Sequence, residues 1–118
     1  MRGVLSFFQG DIVLVEFPFT DLVTFKLRPA IVVSSELVNK SDNVVLSPVT
    51  ITIRNDNFSL ILKDKDLTRS LDGESEIRCN TFVTFQKSKI KKKISALRNH
   101  KHPVLYEKII SSFKVPAN

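Results

Sequence analysis

Two short apolar runs separated by a polar loop form the clearest pattern in the chain. They are Ile-Val-Leu-Val at residues 12–15 and Ala-Ile-Val-Val at residues 30–33. Short apolar runs rich in β-branched residues and bounded by turn-forming residues are typical of buried strands. Gly10 can adopt the backbone angle of a turn before the first run, while Pro29 favours an extended conformation for Arg28. The pattern predicts a strand–loop–strand unit with Arg28 at a strand start, at one rim of a β-structure.

The following part of the chain alternates short apolar segments with polar ones. Four apolar segments predict further strands, at residues 44–50, 58–62, 77–85 and 88–94. Residues 35–43 are polar enough for a surface connection, and residues 51–57 predict a loop or a short turn of helix. The dipeptide Asp72-Gly73 is a turn signal. The central part of the chain is therefore predicted to be mostly strand.

The alternation of Lys and Ile in residues 88–94 fits two structures. A strand accommodates the alternation itself, whereas Ile90, Ile94 and Leu97 also recur at the spacing of one helical face. The pattern alone leaves both structures open.

Near the C-terminus the spacing changes to that of a helix. Pro103 suits the first turn of a helix, and four apolar residues then share one helical face: Leu105, Ile109, Ile110 and Phe113. Several short strands followed by one helix predict a mainly β fold, a small antiparallel barrel with α additions. We expect the helix to cap the barrel and the loops at one rim to form the functional surface.

Composition limits the class of protein. A chain of 118 residues with 42% apolar residues and nine Phe is typical of one globular domain, here residues 1–118. A lone cysteine, Cys79, cannot form an internal disulfide, which fits a reducing compartment. The first nine residues lack the apolar length of a signal peptide, and no run approaches the ~20 apolar residues of a membrane span. We expect a soluble cytoplasmic protein with no membrane partner.

The positive charge is concentrated in the last quarter of the chain. The net charge is +6, yet residues 87–118 contribute +8 and residues 1–86 contribute −2. A basic segment on a nearly neutral body indicates a surface for a polyanion such as nucleic acid. Taken alone, the same segment also fits a solvated surface that keeps the protein soluble.

Five segments in order resemble one known family. They are GDIVLVEFPFTD, KLRPAIVVS, SPVT, IRCN and KSKIKKKI, which begin at Gly10, Lys26, Ser47, Ile77 and Lys87. Together they resemble PemK/MazF-like toxins, the toxin halves of bacterial toxin–antitoxin pairs. The resemblance implies an SH3-like barrel that forms a homodimer and cuts single-stranded RNA without a metal or another cofactor. It also implies a cognate antitoxin with an acidic, disordered tail, DNA binding together with that antitoxin, and a strand for residues 88–94.

The resemblance assigns two catalytic residues. Arg28 matches the catalytic Arg of the family, and its planar guanidinium suits the charge of a phosphorane. Thr50 matches the Thr at the end of the third strand, whose hydroxyl can donate to a phosphate oxygen. From the residues alone, a structural ion pair of Arg28 with Asp11, Glu16 or Asp21 is the leading interpretation, and Thr50 fits an ordinary strand residue.

Further residues are candidates for binding RNA. Phe25 fits stacking on an unpaired base and equally fits packing on the protein. Several polar side chains can contact the RNA chain: Thr20, Asp21, Lys26, Arg54, Arg78, Asn80 and Lys87. Some relatives have an acid where this chain has Asn80, and an amide cannot take up a proton near neutral pH. The general base is therefore unassigned, with Asp21 and Glu16 as candidates by sequence proximity.

Two other functions are compatible with the same residues. One is a toxin of this fold that poisons a protein such as DNA gyrase, and the other is a non-catalytic RNA-binding module. His100 and His102, with one Cys and no matching carboxylates, do not form a zinc motif. The matched pair Arg28 and Thr50 favours the nuclease.

Overall fold

The computed structural model describes residues 6–16 and 26–115. Within them the chain forms seven strands and two α-helices. The strands are β1 (Asp11–Glu16), β2 (Leu27–Val32), β3 (Asn43–Thr50), β4 (Ser59–Leu62), β5 (Ser75–Arg78), β6 (Val83–Gln86) and β7 (Lys92–Ala96). The helices are α1 (Glu36–Asn39) and α2 (His102–Ser111). The two predicted strands are confirmed, because β1 and β2 pair antiparallel with Ile12 opposite Ile31, while residues 17–25 of the predicted loop lie outside the described residues.

The strands form one antiparallel sheet in the order β4-β5-β3-β2-β1-β7, and β6 also pairs with β3. Leu67 and Leu97 lie just beyond β4 and β7, the two ends of this order, and form an isolated bridge. The amide of Thr68 donates to the carbonyl of Ala96 at 2.8 Å beside that bridge. The sheet is therefore curled into a half-barrel, and the predicted mainly β fold with a C-terminal helix is confirmed.

The prediction of one strand at residues 77–85 is wrong. β5 pairs with the end of β3, where Thr50 lies opposite Glu76, whereas β6 pairs with its beginning, where Asn43 lies opposite Gln86. Between them the amide of Thr81 donates to the carbonyl of Arg78 at 3.1 Å and closes a turn. One straight strand could not follow the curled β3, so the apolar run is divided between two strands.

The prediction for residues 88–94 is correct in part. Residues 87–89 form a 3₁₀ turn, closed by the amide of Ile90 on the carbonyl of Lys87, and β7 begins only at Lys92. The alternative of a helix through this segment is wrong. The connection at residues 35–43 also contains the single helical turn α1.

Two apolar clusters cover opposite faces of the sheet. The first includes Ile12, Ile31, Val49, Leu60, Leu62, Ile77 and Leu105. The second includes Phe7, Val13, Val15, Ala30, Val32, Val44, Leu46 and Ile90. Because β1 and β2 are buried on both faces, their sequences are continuous apolar runs rather than alternating ones.

Helix α2 closes one side of the first cluster. Leu105 is buried in that cluster and Ile109 packs against it, as the helical spacing predicts. Phe113 does not share this burial, because the helix ends at Ser111 and the Phe113 side chain is 67% exposed, with its ring 5.3 Å from that of Phe82. No helix in the described part of the chain is long and apolar enough to cross a membrane.

Candidate functional site

Arg28 and Thr50 lie at the same rim of the sheet, on neighbouring strands. β2 and β3 pair with Ala30 opposite Pro48 and Val32 opposite Leu46. Continued by two residues, this register places Arg28 opposite Thr50. Opposite residues of an antiparallel pair share a face, with Cβ atoms about 5 Å apart. Arg28 is exposed and Thr50 is half-buried, so both side chains are within reach of a ligand at the rim.

Asp11, one of the alternative partners of Arg28, is engaged elsewhere. Its Oδ2 atom lies 3.2 Å from Nζ of Lys93 and accepts a hydrogen bond from the amide of Phe8 at 2.8 Å. The residue opposite Arg28 on β1 is Val15. Asp11 is four residues from Val15, about 13 Å along the strand. The structural ion pair between Arg28 and Asp11 is therefore excluded by the length of β1.

The Thr50 hydroxyl is oriented by the loop that follows β3. Its Oγ1 atom accepts a hydrogen bond from the amide of Thr52 at 3.1 Å. A hydroxyl that accepts one hydrogen bond retains its proton for donation to another group. Thr50 can therefore act as a donor of fixed direction at the rim.

Glu76, on the other side of Thr50, is a buried carboxylate that the sequence analysis missed. It lies opposite Thr50 on β5, and its side chain is fully buried. Oε2 accepts the amides of Arg54 and Asn55 at 3.1 and 2.8 Å, and Oε1 accepts from Nη1 of Arg78 at 2.7 Å. The only signal in the sequence was an acid directly before the predicted strand at residues 77–85, two residues before an Arg.

The environment of Glu76 keeps it ionised. Burial raises its pKa, but the hydrogen bonds from Asn55, Arg78 and Arg54 and the positive charge of Arg78 outweigh burial, so the pKa lies below the usual value. The carboxylate is thus charged at neutral pH and has no lone pair turned to solvent. It is suited to holding other groups in place and is a poor proton acceptor.

Arg78 is held among protein groups. Its Nη1 atom lies 3.0 Å from Oδ2 of Asp56 and 3.2 Å from Oγ of Ser59, in addition to the contact with Glu76. Its guanidinium carbon lies 5.2 Å from the centre of the Phe58 ring. Burial lowers the pKa of Arg78, but its hydrogen bonds and ion pairs with Glu76 and Asp56 raise it overall. A direct contact of Arg78 with RNA stays a prediction.

The other predicted RNA-binding residues fall into three groups. Lys26 is exposed just before β2, and Arg54 is exposed in the loop after Thr50, so both lie near the Arg28–Thr50 pair. Asn80 is exposed in the turn after β5, where its Oδ1 accepts from the hydroxyl of Thr81 at 3.2 Å. Three candidates lie outside the described residues: Thr20, Asp21 and Phe25.

Lys87 lies at the other end of β3. Its amide donates to the carbonyl of Asp42 at 2.9 Å, beside Asn43 at the beginning of the strand. Seven residues separate Asn43 from Thr50, roughly 20 Å of extended strand. The structure therefore does not bring Lys87 into the group around Arg28.

The basic segment nevertheless reaches the same rim on the β1 side. The amide of Lys91 donates to the carbonyl of Leu14 at 2.9 Å, and Lys92 lies opposite Leu14. Because β1 lies between β7 and β2, these two exposed lysines are two strand spacings from Arg28, about 10 Å. Cations therefore line the rim on both sides of Val15.

The histidines serve the fold. Nε2 of His100 lies 3.2 Å from Oδ1 of the buried Asp66, and Nε2 of His102 lies 3.2 Å from the carbonyl oxygen of Leu97. Within residues 6–16 and 26–115, no group of three or more His, Cys, Asp or Glu side chains is placed to hold a metal ion. Glu16, a candidate base, is exposed at the end of β1 opposite Leu27, so its side chain starts from the face of the sheet away from Arg28.

The fold and the candidate site define a class: a small antiparallel half-barrel with a C-terminal helix and a cationic rim. A family model for PemK-like, MazF-like toxins of type II toxin–antitoxin systems matches residues 8–113. The chain belongs to this family, as its sequence motifs predicted. Comparison with the curated proteins finds no significant sequence match.

Solved structures share the fold at low sequence identity. An endoribonuclease in complex with its cognate antitoxin, from a mycobacterial species, is similar with a TM-score of 0.76 and 16% identity, over 96% of this chain and 100% of that chain. Toxin MazF-mt6 of Mycobacterium tuberculosis is similar with a TM-score of 0.72 and 23% identity, over 91% and 99%. MazF from Deinococcus radiodurans is similar with a TM-score of 0.72 and 16% identity, over 93% and 98%.

Proposed function

We propose that this toxin is an endoribonuclease that cuts single-stranded RNA, with Arg28 and Thr50 as its catalytic residues. The observation that carries the proposal is the register of β2 and β3, which puts these two side chains opposite each other at an accessible rim. Membership of the PemK/MazF family, whose motifs assign these two residues, supports the proposal. The cations on either side support a polyanionic substrate.

The proposed reaction takes its nucleophile from the substrate. The ribose 2′-OH beside the scissile phosphate attacks phosphorus and its proton passes to a base. The bond to the 5′ oxygen of the next nucleotide breaks, and that oxygen takes up a proton from solvent. The products are a 2′,3′-cyclic phosphate and a 5′-OH. The phosphorane gathers negative charge on its non-bridging oxygens, so the guanidinium of Arg28 and the hydroxyl of Thr50 stabilise it more than the ground state.

The proton acceptor is a carboxylate other than Glu76. Glu76 is fully buried and its oxygens already accept three hydrogen bonds, so it cannot reach the 2′-OH. The amide of Asn80 has no basic atom. Glu16 ends β1 opposite Leu27, so its side chain starts from the face of the sheet away from Arg28, and the base stays unassigned between Glu16 and Asp21.

The same proposal includes the partners. The protein acts on mRNA in the cytoplasm as a homodimer, and a cognate antitoxin with an acidic, disordered tail neutralises it. A structural neighbour is an endoribonuclease bound to its cognate antitoxin. Lys91 and Lys92 beside the rim offer positive charge to such a tail, which would order on binding and cover the RNA site.

The decisive experiment measures cleavage of a long single-stranded RNA in excess EDTA. We expect fragments that end in a 2′,3′-cyclic phosphate and begin with a 5′-OH. A substrate with deoxyribose on the 5′ side of the cut should bind almost as well, because its phosphates remain, but should not be cleaved.

Four outcomes would contradict the nuclease proposal. Products with a 5′-phosphate, or cleavage of the deoxy-substituted RNA, would exclude attack by the 2′-OH. Binding without cleavage would favour the RNA-binding module. Neither binding nor cleavage, combined with inhibition of DNA gyrase, would favour the toxin that poisons a protein.

A further inference from the structure

We propose that Glu76 is a positioning residue that fixes the loop after Thr50, so that the side chain of Arg54 contacts the RNA from a preformed place beside the site. This inference rests on the proposed function, because it concerns how the same rim holds its substrate. Glu76 itself does not touch the RNA in this proposal.

The two carboxylate oxygens of Glu76 have different hydrogen-bond partners. Oε1 accepts a hydrogen bond from Nη1 of Arg78, two residues further along the same strand β5. Oε2 binds two consecutive amides, those of Arg54 and Asn55. The hydrogen bonds to Oε2 do not stabilise the sheet, because both amides belong to a loop outside the strands.

The loop needs such an anchor to hold one conformation. Residues 51–55 are exposed, so little apolar burial holds them in place. Asn55 has a φ angle of 55°, in the left-handed region, which Asn tolerates better than most residues. Two consecutive amides directed at one carboxylate oxygen restrict the loop at this point, in the same way that backbone amides surround a bound anion.

Anchoring the loop before RNA binds makes the Arg54 contact more favourable. An exposed Arg on a mobile loop loses conformational freedom when it pairs with a phosphate, and this loss weakens binding. The anchored backbone of Arg54 has lost part of that freedom already. Removing the Glu76 carboxylate should therefore remove most of the contribution of Arg54 to RNA affinity, although the Arg54 side chain is still present.

Asp56 provides a matched control for the anchor. Its carboxylate also pairs with Arg78, with Oδ2 3.0 Å from Nη1, but it accepts neither loop amide. The substitutions Glu76→Gln and Asp56→Asn each remove one negative charge beside Arg78. Only the first weakens the bond to the loop.

The experiment is a double-mutant cycle on RNA binding. Binding of a non-cleavable 2′-O-methyl single-stranded RNA is measured against salt concentration for the wild type, E76Q, D56N and R54Q, and for R54Q combined with each of the other two. In the wild-type background R54Q should lower the slope of log K against log salt by about 0.7, the loss of one phosphate contact to a single strand. In the D56N background, R54Q should lower this slope by the same amount. In the E76Q background, R54Q should leave the slope nearly unchanged.

A second measurement tests the anchor without any variant or RNA. Amide hydrogen exchange in the wild-type protein should be slow at Arg54 and Asn55 and fast at the exposed loop residue Ile53. Fast exchange at Arg54 and Asn55 would overturn the inference even if E76Q did not fold.

Failure of the inference and failure of the proposed function give different results. If the wild type binds and cleaves RNA but R54Q costs the same in the E76Q background as in the wild type, only the role of Glu76 is overturned. If the wild type binds no RNA while the amides of Arg54 and Asn55 are protected, the anchor exists but the proposed function, and with it the role of Arg54, is overturned.

Discussion

Two buried carboxylates anchor two different regions of this molecule. Glu76 holds the loop after Thr50 at the candidate site, whereas Asp66 holds the start of α2 on the far side of the fold. Asp66 accepts the amide of Lys63 at 2.9 Å, and its oxygens lie 3.2 Å from Nε2 of His100 and 3.8 Å from Nζ of Lys101. Each carboxylate thus combines a backbone amide with a cationic side chain.

The difference lies in what each anchor presents to solvent. The loop held by Glu76 carries exposed polar groups beside Arg28 and Thr50, while the region held by Asp66 completes the packing of the first apolar cluster. The same arrangement of charge therefore stabilises both regions, and only the Glu76 region also lies beside the candidate site. Matched substitutions in the two regions should separate these effects.

Replacing Arg28 should have the largest effect. Arg28→Ala should lower RNA cleavage by more than about 10³-fold, since it removes the main charge that stabilises the phosphorane, and should leave the unfolding temperature nearly unchanged because the side chain is exposed. The matched control is Arg98→Ala on the Asp66 side, where Nε of Arg98 donates to the carbonyl of Leu67 at 3.0 Å. The control should keep full cleavage. Equal loss in both variants would contradict the site assignment.

Removing the buried carboxylates should separate the two regions by stability. Glu76→Ala should lower the free energy of unfolding by about 3 kcal/mol, because Arg78 is left largely buried with Asp56 as its remaining partner. Asp66→Ala should cost less, about 1–2 kcal/mol, because the side chain of His100 is exposed and can be hydrated. Urea unfolding at pH 7 measures both values. A larger loss for Asp66→Ala would reverse the comparison.

A pair of threonines allows the sharpest test of catalysis. Thr50 Oγ1 accepts the amide of Thr52 at 3.1 Å, and Thr68 Oγ1 accepts the amide of Ala96 at 3.0 Å. Thr50→Ala should reduce the cleavage rate by about 10²-fold through loss of one transition-state donor. Thr68→Ala removes an equivalent hydrogen bond far from the site and should affect stability only, by about 1 kcal/mol. An unchanged rate in Thr50→Ala would make Thr50 an ordinary strand residue.

The smallest expected effect is a loss of stability at low pH to which both buried carboxylates contribute. Burial raises the pKa of Asp66, but the Lys63 amide, His100 and Lys101 outweigh it, so its pKa is lowered in the fold, like that of Glu76. A carboxylate with a lowered pKa contributes stability above its unfolded value, about 4, and loses that contribution as the pH falls through the folded value. Urea unfolding at pH 7, 4 and 3 should show progressive loss below pH 4. Asp66→Asn and Glu76→Gln should each flatten this profile, and a steeper profile in either would contradict the assigned directions.

The local pattern of the sequence was enough to predict several elements. Continuous apolar runs on β1 and β2 required burial on both faces, and Pro29 required an extended Arg28, so the strand–loop–strand unit followed from short-range rules. The spacing that begins at Pro103 predicted α2 in the same way. Arg28 and Thr50 were assigned from the family motifs. The β2–β3 register, continued by two residues, puts them opposite each other.

Other features depend on contacts between distant residues. The apolar pattern of residues 77–85 is continuous, yet the curled β3 offers two separate edges, and the chain turns at Asn80 to reach the second. Phe113 fits the helical face of Leu105, but the helix ends before it. Rules based on neighbouring residues cannot predict the curvature of a partner strand. They also cannot predict where a helix ends when packing determines its end.

The sequence by itself determined the class of fold, the strand that carries Arg28 and the family, because these depend on local apolar periodicity, proline geometry and motif order. Only the tertiary structure decided the role of Glu76. A buried carboxylate is unfavourable unless other groups hydrogen-bond to it. The partners of Glu76 are two loop amides some twenty residues earlier in the chain and the guanidinium of Arg78. Burial and hydrogen bonding become defined only when the sheet brings these groups together.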